Sequence, residues 1–545
     1  MRRHGLRIVR VAVAAVIFTA LTAALVDFRG LMPARAVHWL AAVQFTPALM
    51  ALGAGLSAGL ALVAILGVTL ALGRVYCSTV CPLGVLQDVL ARIFAWLRPR
   101  RRPLPFRSEN AWLRYGVLAA VVIAIAGAPS VAFTHADPYS NFGRIASGLV
   151  RPLVVVANNL LVGPARALGL ESLYRVPPPW PGPSLLAAAV PMLVLLAGLV
   201  AWRERIFCNT LCPVGTVLGL LARRAAWRLT WDRSACTKCA ECLRACKAQC
   251  IDLRVGTIDA SRCVACFNCV GVCPENGLRY RWTWWRRPVA PGSPSGSTGE
   301  RATDGADPGR RAFVTTAAAA LTLAAGAGAR LAATAAGTSP RAGADSTGEK
   351  AAAARLPPNF SAAICPPGAG SVDRFLERCT ACQLCVSSCP THVLQPSALD
   401  YGFAGLFKPH LEYAGAFCNF DCRRCAEACP DGAIELLPLA EKQVTRIGAA
   451  ELDLDRCIVK TQGTDCAACS EHCPTKAVDT VPYGGNLRLP QVTPELCIGC
   501  GACQYACPAL PRKAITVVGR RRHERARRKI EEKARDPRRR GDFPF

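Results

Sequence analysis

Eight cysteines in residues 231–280 stand in two runs with the same spacing, C-x2-C-x2-C-x3-C. A tight loop with this spacing aims three thiolates at one [4Fe–4S] cube, and the fourth thiolate reaches a neighbouring cube. The interleaved quartets favour clusters over zinc knuckles or a disulfide framework, the alternatives for cysteine-rich segments. The predicted ligands are Cys236, Cys239, Cys242 and Cys273 for one cluster and Cys263, Cys266, Cys269 and Cys246 for the other. This stretch is therefore predicted to transfer electrons. Proline follows the second run, whereas Lys247 stands at that position after the first.

Residues 365–518 contain four more quartets, and a proline follows the last cysteine of each. The first and fourth keep the regular spacing, whereas the second and third have a longer first gap, which an insertion before the second ligand explains. Their cysteines are Cys379, Cys382, Cys385, Cys389; Cys418, Cys422, Cys425, Cys429; Cys457, Cys466, Cys469, Cys473; and Cys497, Cys500, Cys503, Cys507. The chain is thus predicted to bind six [4Fe–4S] clusters. Cys250 and Cys365 are left over, and we interpret both as ordinary cysteines rather than ligands.

A third cysteine pattern, Cys-x3-Cys-Pro, occurs at Cys77 and Cys81 and again at Cys208 and Cys212. Cysteines four residues apart share one face of a helix, so packing of the two segments would bring four thiols together. They could hold one further metal centre, or act as two dithiol pairs that exchange electrons. The alternative is that the motif merely shapes the exit of each helix.

The composition indicates a membrane protein, because 52% of residues are hydrophobic and the mean hydropathy is +0.26. Four apolar segments approach the ~20 residues that cross a bilayer: Val11–Val26, about 54–73, about 115–133, and Ser184–Trp202. Arginine-rich stretches follow the second and fourth segments, which predicts that both ends of this unit face the cytoplasm. We interpret the intervening 134–183 as an interfacial or re-entrant piece rather than another span. The formal charge of +28 does not indicate nucleic-acid binding, because much of it flanks these segments and six clusters would offset about 12 charges.

The second half of the chain follows a Pro/Gly/Ser-rich linker, residues 286–311. Residues 312–336, preceded by Arg310-Arg311, resemble a twin-arginine export signal; the alternative is a linker that never enters the membrane. A second linker, 337–364, precedes the four-cluster domain. Residues 519–545 form a basic tail, predicted to be a solvated helix or disordered. Export would place residues 365–545 in the periplasm and leave residues 231–285 in the cytoplasm, although so basic a tail is unusual for an exported domain.

The predicted fold class is an α-helical membrane domain of four helices, residues 1–230, joined to α+β ferredoxin-like [4Fe–4S] domains at 231–285 and 365–518. The twin-arginine-like segment is a candidate fifth helix. The motif C-x-x-C-H is absent, so no c-type haem is expected, and no G-x-G-x-x-G opens a strand–helix unit, so no nucleotide cofactor is indicated. These features predict an electron-transfer subunit of an oxidoreductase system rather than a stand-alone catalyst.

The four segments, the two Cys-x3-Cys-Pro motifs and the cluster pair of residues 1–285 resemble the NapH-type membrane ferredoxins of periplasmic nitrate reductase systems. These are related to polyferredoxins that support nitrous oxide reductase. Residues 308–518, a twin-arginine-like signal before four quartets, resemble the partner NapG type, so the chain resembles a fusion of the two. That resemblance also implies that quartets one and four share a fold, as do two and three. Quartets one and four would then exchange their fourth ligands, so that Cys507 completes the first cube and Cys389 the fourth. Quartets two and three would do the same, with Cys473 completing the second cube and Cys429 the third.

We therefore expect a multi-pass protein of the bacterial inner membrane that passes electrons from quinol, or from a cytoplasmic donor, to a separate partner reductase in anaerobic respiration. Two alternatives remain open at this point. One is an accessory protein whose electrons serve the maturation or repair of another metalloenzyme. The other is a redox sensor, which would need an output domain that the chain does not offer.

Overall fold

A computed structural model describes residues 5–51, 56–97, 106, 109–127, 134–169, 173–176, 182–283 and 363–528. The linker 286–311 and the twin-arginine-like segment 312–336 lie outside the described residues. The described part contains a helical unit up to residue 226, a small domain that follows it, and a C-terminal domain from residue 363.

The helical unit is built from apolar sequences interrupted by short polar connections. Its helices are α1 (Gly5–Val26), α2 (Ala34–Ala42), α3 (Phe45–Met50), α4 (Leu56–Leu72), α5 (Tyr76–Thr79), α6 (Pro82–Leu97), α7 (Ala111–Gly127), α8 (Pro138–Ile145), α9 (Arg151–Ala167), α10 (Pro183–Trp202) and α11 (Pro213–Ala222). Each of the four predicted apolar segments is helical over most of the residues that the structure describes in it. The second and third form helices of 17 residues, α4 and α7, about 25 Å long at 1.5 Å per residue.

Three stretches of the described residues are long and apolar enough to cross a membrane: α1, α10 and Pro138–Ala167. The third lies within residues 134–183, which were predicted to be an interfacial or re-entrant piece, and its length and composition make it a candidate span as well. One π-helical turn, Ala146–Val150, joins α8 to α9, so the stretch is continuous. Pro152 does not interrupt the helix, because it lies in the first turn of α9, where a missing N–H costs little.

The small domain, residues 227–283, pairs its first and last strands and packs two short helices between them. Strand β1 (Trp227–Trp231) is antiparallel to β4 (Leu278–Trp282), and the hairpin β2 (Ile251–Asp252) with β3 (Thr257–Ile258) lies between. Helices α12 (Glu241–Ala245) and α13 (Asn268–Val272) pack against each other. Each helix carries the third cysteine of its run.

The C-terminal domain consists of cysteine loops held by short antiparallel ribbons. Its helices are α14 (Val372–Arg378), α15 (Leu384–Ser388), α16 (Arg424–Glu427), α17 (Leu439–Lys442), α18 (Ile458–Gln462), α19 (Ala468–Glu471) and α20 (Ala502–Ala506). Its strands are β5 (Leu394–Pro396), β6 (Pro409–Leu411), β7 (Thr445–Leu452), β8 (Val478–Tyr483), β9 (Leu487–Val492) and β10 (Ile515–Arg525). The ribbons are β5–β6, β7–β10 and β8–β9.

The start of the basic tail is folded, which corrects the prediction of a solvated helix or disorder for that part. Strand β10 continues through Arg520 to Arg525, where it pairs with Thr445 of β7. Backbone pairing to β7 accounts for this, because the sheet satisfies peptide groups whatever the side-chain charge.

The small domain lies near the first half of α1, and the C-terminal domain lies near its end. Near its start, Arg10 lies 3.1 Å from Asp88, and Lys247 of the small domain lies 3.2 Å from the same carboxylate. Beyond its end, the backbone at Gly30 approaches the guanidinium of Arg424 in the C-terminal domain. Arg10 and the end of α1 are separated by about 24 Å along the helix axis at 1.5 Å per residue.

One continuous buried core joins these three parts. It contains Cys266 of the small domain, Cys77 and Phe142 of the helical unit, and Cys382 and Ala428 of the C-terminal domain. Cysteines from all three parts therefore share a single apolar interior.

Candidate iron–sulfur sites

The four quartets with regular spacing share one backbone turn. In each, the residue two places after the first cysteine and the residue directly after the second have positive φ. These residues are Lys238 and Ala240, Ala265 and Phe267, Ala381 and Gln383, and Gly499 and Gly501. Side chains other than glycine rarely adopt this conformation, and such strain persists where the surroundings fix it. The second quartet, residues 418–429, has the longer first gap and no positive φ between its cysteines.

In the small domain, Cys236, Cys239, Cys242 and Cys273 line one open pocket together with Trp231 and Leu278. Four thiols around a pocket with apolar walls are what a [4Fe–4S] cluster requires. This is the first predicted ligand set. Cys239 is exposed, so this site lies at the protein surface.

The second set of the small domain lies against the helical unit. Electrostatic interactions connect Cys269 with Cys266, Cys263 and Cys246, which are the predicted partners. Cys250, which we expected to be an ordinary cysteine, is buried with its Sγ 3.7 Å from that of Cys246. Its hydrogen bond lowers the pKa of the Cys246 thiol to about 7, which favours the thiolate that metal binding needs.

In the C-terminal domain the structure groups consecutive quartets, so the pairing implied by the NapG resemblance is wrong. Helix α15 packs against α16, and α19 packs against α20. Cys389 lines a pocket with Cys418, Cys422 and Cys425. Electrostatic interactions between thiols define the other three sets. The first is Cys379, Cys382 and Cys385 with Cys429, and the second is Cys497, Cys500 and Cys503 with Cys473. In the third, Cys469 interacts with Cys507, and Cys457 and Cys466 are assigned to this set by sequence. Short connections keep consecutive quartets adjacent, and this outweighs the analogy.

These sets form a row leading away from the helical unit. Cys382 belongs to the shared core. The set that includes Cys382 is paired with the set that includes Cys418. The backbone N–H of Cys418 donates to the carbonyl of Cys500 at 2.9 Å, which joins the first pair of sets to the second. The set that includes Cys466 is therefore the farthest from the helical unit.

The two Cys-x3-Cys-Pro motifs meet inside the helical unit. Cys77, Cys81, Cys208 and Cys212 are all buried, and each interacts electrostatically with a cysteine of the other motif. Burial raises the pKa of Cys77, Cys81 and Cys212. None of the four forms a disulfide. The structure thus brings all four thiols together, as packing of the two segments predicts.

The C-terminal domain reaches the helical unit at Gly143 of α8. A Cβ added to Gly143 would lie 2.2 Å from the carbonyl oxygen of Cys382, so only glycine permits this approach. Asp137 caps α8 by accepting from the backbone N–H of Ser140 at 2.8 Å, and it also accepts from the Thr46 hydroxyl at 2.7 Å. These contacts fix the start of α8 against the cluster loop.

Buried cations surround the cysteine sets. Burial alone would raise the pKa of Asp88, but Arg205, Lys247 and Arg10 hold it well below its usual range. Lys247, which replaces the usual proline, thus ties the small domain to α6. Burial lowers the pKa of Lys408 to about 8, although the Cys379 thiol near it acts in the opposite direction.

Sequence reasoning missed the residues around the sulfurs. Arg74 and Arg205 are fully buried at the two Cys-x3-Cys-Pro motifs, and each precedes the first cysteine of its motif by three residues. The full repeat is therefore R-x2-C-x3-C-P-x-G, and the repeated arginine was the available signal. Asp88 and Gly143 carry no such signal, because only the tertiary contacts distinguish them.

Among the described residues, no three His, Cys, Asp or Glu side chains are close enough to hold a single metal ion. The cysteine sets are wider than a mononuclear zinc site. They suit a multi-iron cluster, whose thiolates bind different iron atoms.

Comparison with protein families identifies [4Fe–4S] domains over the Cys-x3-Cys-Pro motifs and over all four C-terminal quartets. A family described as "4Fe-4S binding domain" matches residues 54–105 and 184–230, each containing one Cys-x3-Cys-Pro motif. Families described as "4Fe-4S dicluster domain" match residues 378–434, and residues 417–477 and 463–510. The first of these dicluster matches spans quartets one and two together.

Three relatives extend the comparison to whole proteins. The ferredoxin-type protein NapF of Escherichia coli K12 is 30% identical over 143 residues, which are 26% of this chain and 79% of NapF. NapH of Haemophilus influenzae is 26% identical over 219 residues, 38% of this chain and 62% of NapH. The methylamine utilization ferredoxin-type protein MauN of Paracoccus denitrificans is 29% identical over 180 residues, 32% of this chain and 48% of MauN. No solved structure matches.

The cysteine sets and the matched families define a ferredoxin-type iron–sulfur electron-transfer protein that binds [4Fe–4S] clusters, and three of its apolar helices are candidate membrane spans. The match to NapF, which covers 79% of that protein at 30% identity, identifies the family of this chain. The chain belongs to the Nap ferredoxin-type proteins, and the predicted kinship with NapH is confirmed.

Proposed function

We propose that this protein is a fused NapH-type and NapG-type conduit. It would carry electrons across the inner membrane between the small domain and the C-terminal domain, and on to a separate reductase. Six [4Fe–4S] clusters would occupy the six cysteine quartets. Such clusters supply one-electron transfer without bond chemistry. The donor would be quinol or a cytoplasmic reductant.

The observation that carries this proposal is the row of cysteine sets through one apolar interior. It begins at exposed Cys239, passes Cys266 and the buried Cys77, and continues from Cys382 to Cys466. Cys266, Cys77 and Cys382 lie in one shared core, and the remaining C-terminal sets pack in a second core, to whose sets the Cys418–Cys500 hydrogen bond belongs.

The chain's own residues would hold the sites apart from water and set their electrostatics. The core around Phe142 and Tyr139 packs between the Cys77 and Cys382 loops and excludes solvent there. Buried Arg205 and Lys408 place positive charge near cysteines that become thiolates on metal binding. Cations near a cluster stabilise its reduced form, because reduction adds negative charge.

The sidedness of the proposal follows from α1. The helix is 22 residues long, enough to cross a bilayer. It has the small domain near its first half and the C-terminal domain beyond its end. If α1 spans the membrane, the C-terminal domain would be periplasmic, which also requires the segment 312–336 to cross.

Reconstitution into sealed liposomes tests the conduit. The intact, cluster-loaded protein is inserted, an impermeant reductant is added outside, and reduction of a trapped acceptor dye is followed. We expect dye reduction that empty liposomes do not show. Dye reduction no faster than in empty liposomes would refute the transmembrane route.

A topology reporter fused after Phe545 tests the sidedness separately. Activity of a reporter that works only after export is the expected result. Activity confined to a cytoplasm-only reporter would place both cluster domains on one side and end the transmembrane proposal.

A further inference from the structure

The four cysteines of the Cys-x3-Cys-Pro motifs each face an N–H donor. The Gln87 side-chain amide donates to Cys208 Sγ at 3.0 Å, and the Gly215 backbone N–H donates to Cys212 Sγ at 3.3 Å. Cys81 receives the backbone N–H of Gly84. Donors aimed at sulfur suit thiolates that carry charge, because they stabilise the ionised acceptor.

Two arginines connect the motifs in a reciprocal arrangement. Arg74 lies 3.8 Å from Cys77 Sγ of its own motif and donates to the carbonyl of Cys208 at 3.0 Å. Arg205 lies 3.9 Å from Cys208 Sγ of its own motif and donates to the carbonyl of Cys77 at 3.1 Å. The internal sequence repeat thus becomes a two-fold frame around one point.

The backbone closes this frame tightly. A Cβ on Gly84 would lie 2.3 Å from the carbonyl oxygen of Cys77, and one on Gly215 would lie 2.2 Å from that of Cys208. The two motifs therefore have the same fold, and both position their first cysteine with a glycine contact.

The two arginines of this frame differ in their counterions, since Arg205 pairs with Asp88 at 2.7 Å and Arg74 does not. Arg74 is fully buried, and among the described residues no carboxylate lies within ion-pair distance of it. Its other partners are the Asn209 side chain at 2.8 Å and the Ser261 carbonyl at 2.9 Å, both neutral. An unpaired charge in such a place is costly, so the site calls for an anion at the sulfurs.

The spacing of the sulfurs excludes two simpler readings. Among the described residues no pair of these four thiols lies within hydrogen-bonding distance, unlike Cys246 and Cys250 at 3.7 Å, so no dithiol pair is poised to close. The four also fail to converge as a single-ion site would, just as the six quartets fail to do.

We propose that Cys77, Cys81, Cys208 and Cys212 together bind a seventh iron–sulfur cluster, with Arg74 and Arg205 as its buried counterions. Such a cluster has negative charge and four thiolate ligands, and both match the frame. Its role as the middle step of electron transfer rests on the proposed function, whereas its presence does not.

Metal analysis of the intact protein, purified anaerobically, tests the presence. With six cubanes and a seventh cluster we expect about 26–28 iron atoms per chain, against about 24 without it. Cys77→Ser and Cys208→Ser should each remove two to four iron atoms and the same single EPR signal, leaving the other signals intact. Cys365→Ser, a buried cysteine outside the frame, should remove neither. Full iron and every signal in both variants would overturn the proposal.

Arg74→Gln keeps all four sulfurs and tests the site if a cysteine variant fails to fold. We expect unchanged iron and a lower midpoint potential for that same EPR signal, because the reduced form loses a nearby cation. Unchanged midpoint potentials for all signals would overturn the assignment of Arg74 as a counterion. If iron and signals behave as expected but the liposomes show no transfer, the conduit fails and the seventh cluster stands.

Discussion

Asp88 pairs with three cations, two of the helical unit and one of the small domain, and its replacement by asparagine makes a sharp prediction. Its oxygens lie 2.7 Å from Arg205, 3.1 Å from Arg10 and 3.2 Å from Lys247. Removing one partner of a buried ion pair costs about 3–5 kcal/mol, because the other charge stays buried without a partner.

The contacts place Asp88→Asn at the lower end of this range. Arg205 has no exposed surface, whereas the Lys247 side chain is 17% exposed and can be hydrated. Asparagine also keeps one acceptor oxygen. We expect a loss of about 3 kcal/mol, which for a unit of this size lowers the melting temperature by about 6–12 °C.

Thermal unfolding of the cluster-loaded protein in detergent measures this loss. Glu241→Gln is the matched control, because Glu241 pairs with Arg244 at 2.7 Å while both side chains are about half exposed. Such a pair contributes about 0–1 kcal/mol. Equal melting temperatures for the two variants would refute the reasoning.

The stability difference between the wild type and Asp88→Asn has a defined dependence on pH. The pKa of Asp88 in the folded protein lies well below its usual value. The stability it contributes is therefore present above the unfolded pKa, near 3.8, and is lost only as pH falls through the folded pKa. The difference between wild type and Asp88→Asn should be the same at pH 8 and pH 5.

Three further predictions follow from close contacts and burial. Gly143→Ala should weaken docking of the C-terminal domain and slow dye reduction in liposomes. Gly163→Ala, whose Cβ meets nothing within 4 Å, should leave docking and dye reduction unchanged. Equal rates of dye reduction for the two variants would contradict the importance of the contact between Gly143 and Cys382. Gly84→Ala should lower the melting temperature and the yield of folded protein, because its Cβ would meet a backbone carbonyl at 2.3 Å, while Gly198→Ala, with open space around it, is the control that should not. Burial lowers the pKa of His523 from 6.5 to about 4, so the C-terminal domain keeps its full stability above pH 6.5 and loses stability as the pH falls toward 4. At pH 5 the expected loss is about 2 kcal/mol. Unfolding of the wild type and of His523→Phe at pH 7 and pH 5 measures this loss, and parallel pH profiles of the two proteins would count against the prediction.

The sequence alone is enough to predict the candidate cluster ligands and the division of the chain. The quartets at Cys236–Cys273 and Cys379–Cys507 follow from spacing, because a loop that holds a cube must place its cysteines at short fixed intervals. The apolar segments follow from composition for the same local reason. Both signals lie within a few neighbouring residues, so no tertiary information is needed to read them.

Only the tertiary structure decided which cysteines belong together and what surrounds them. The partner of Cys379 is Cys429 rather than Cys507, because helices α15 and α16 pack directly against each other. The sequence could not decide between these two partners, because the spacing within each quartet is the same for either choice. The helical continuity of Pro138–Ala167 depends on one π turn that places Pro152 where it does no harm. The counterions Arg74 and Arg205 are 131 residues apart in the chain, and their shared position exists only because the two repeats fold against each other. Long-range packing brings these charges to the sulfurs, and no local pattern encodes it.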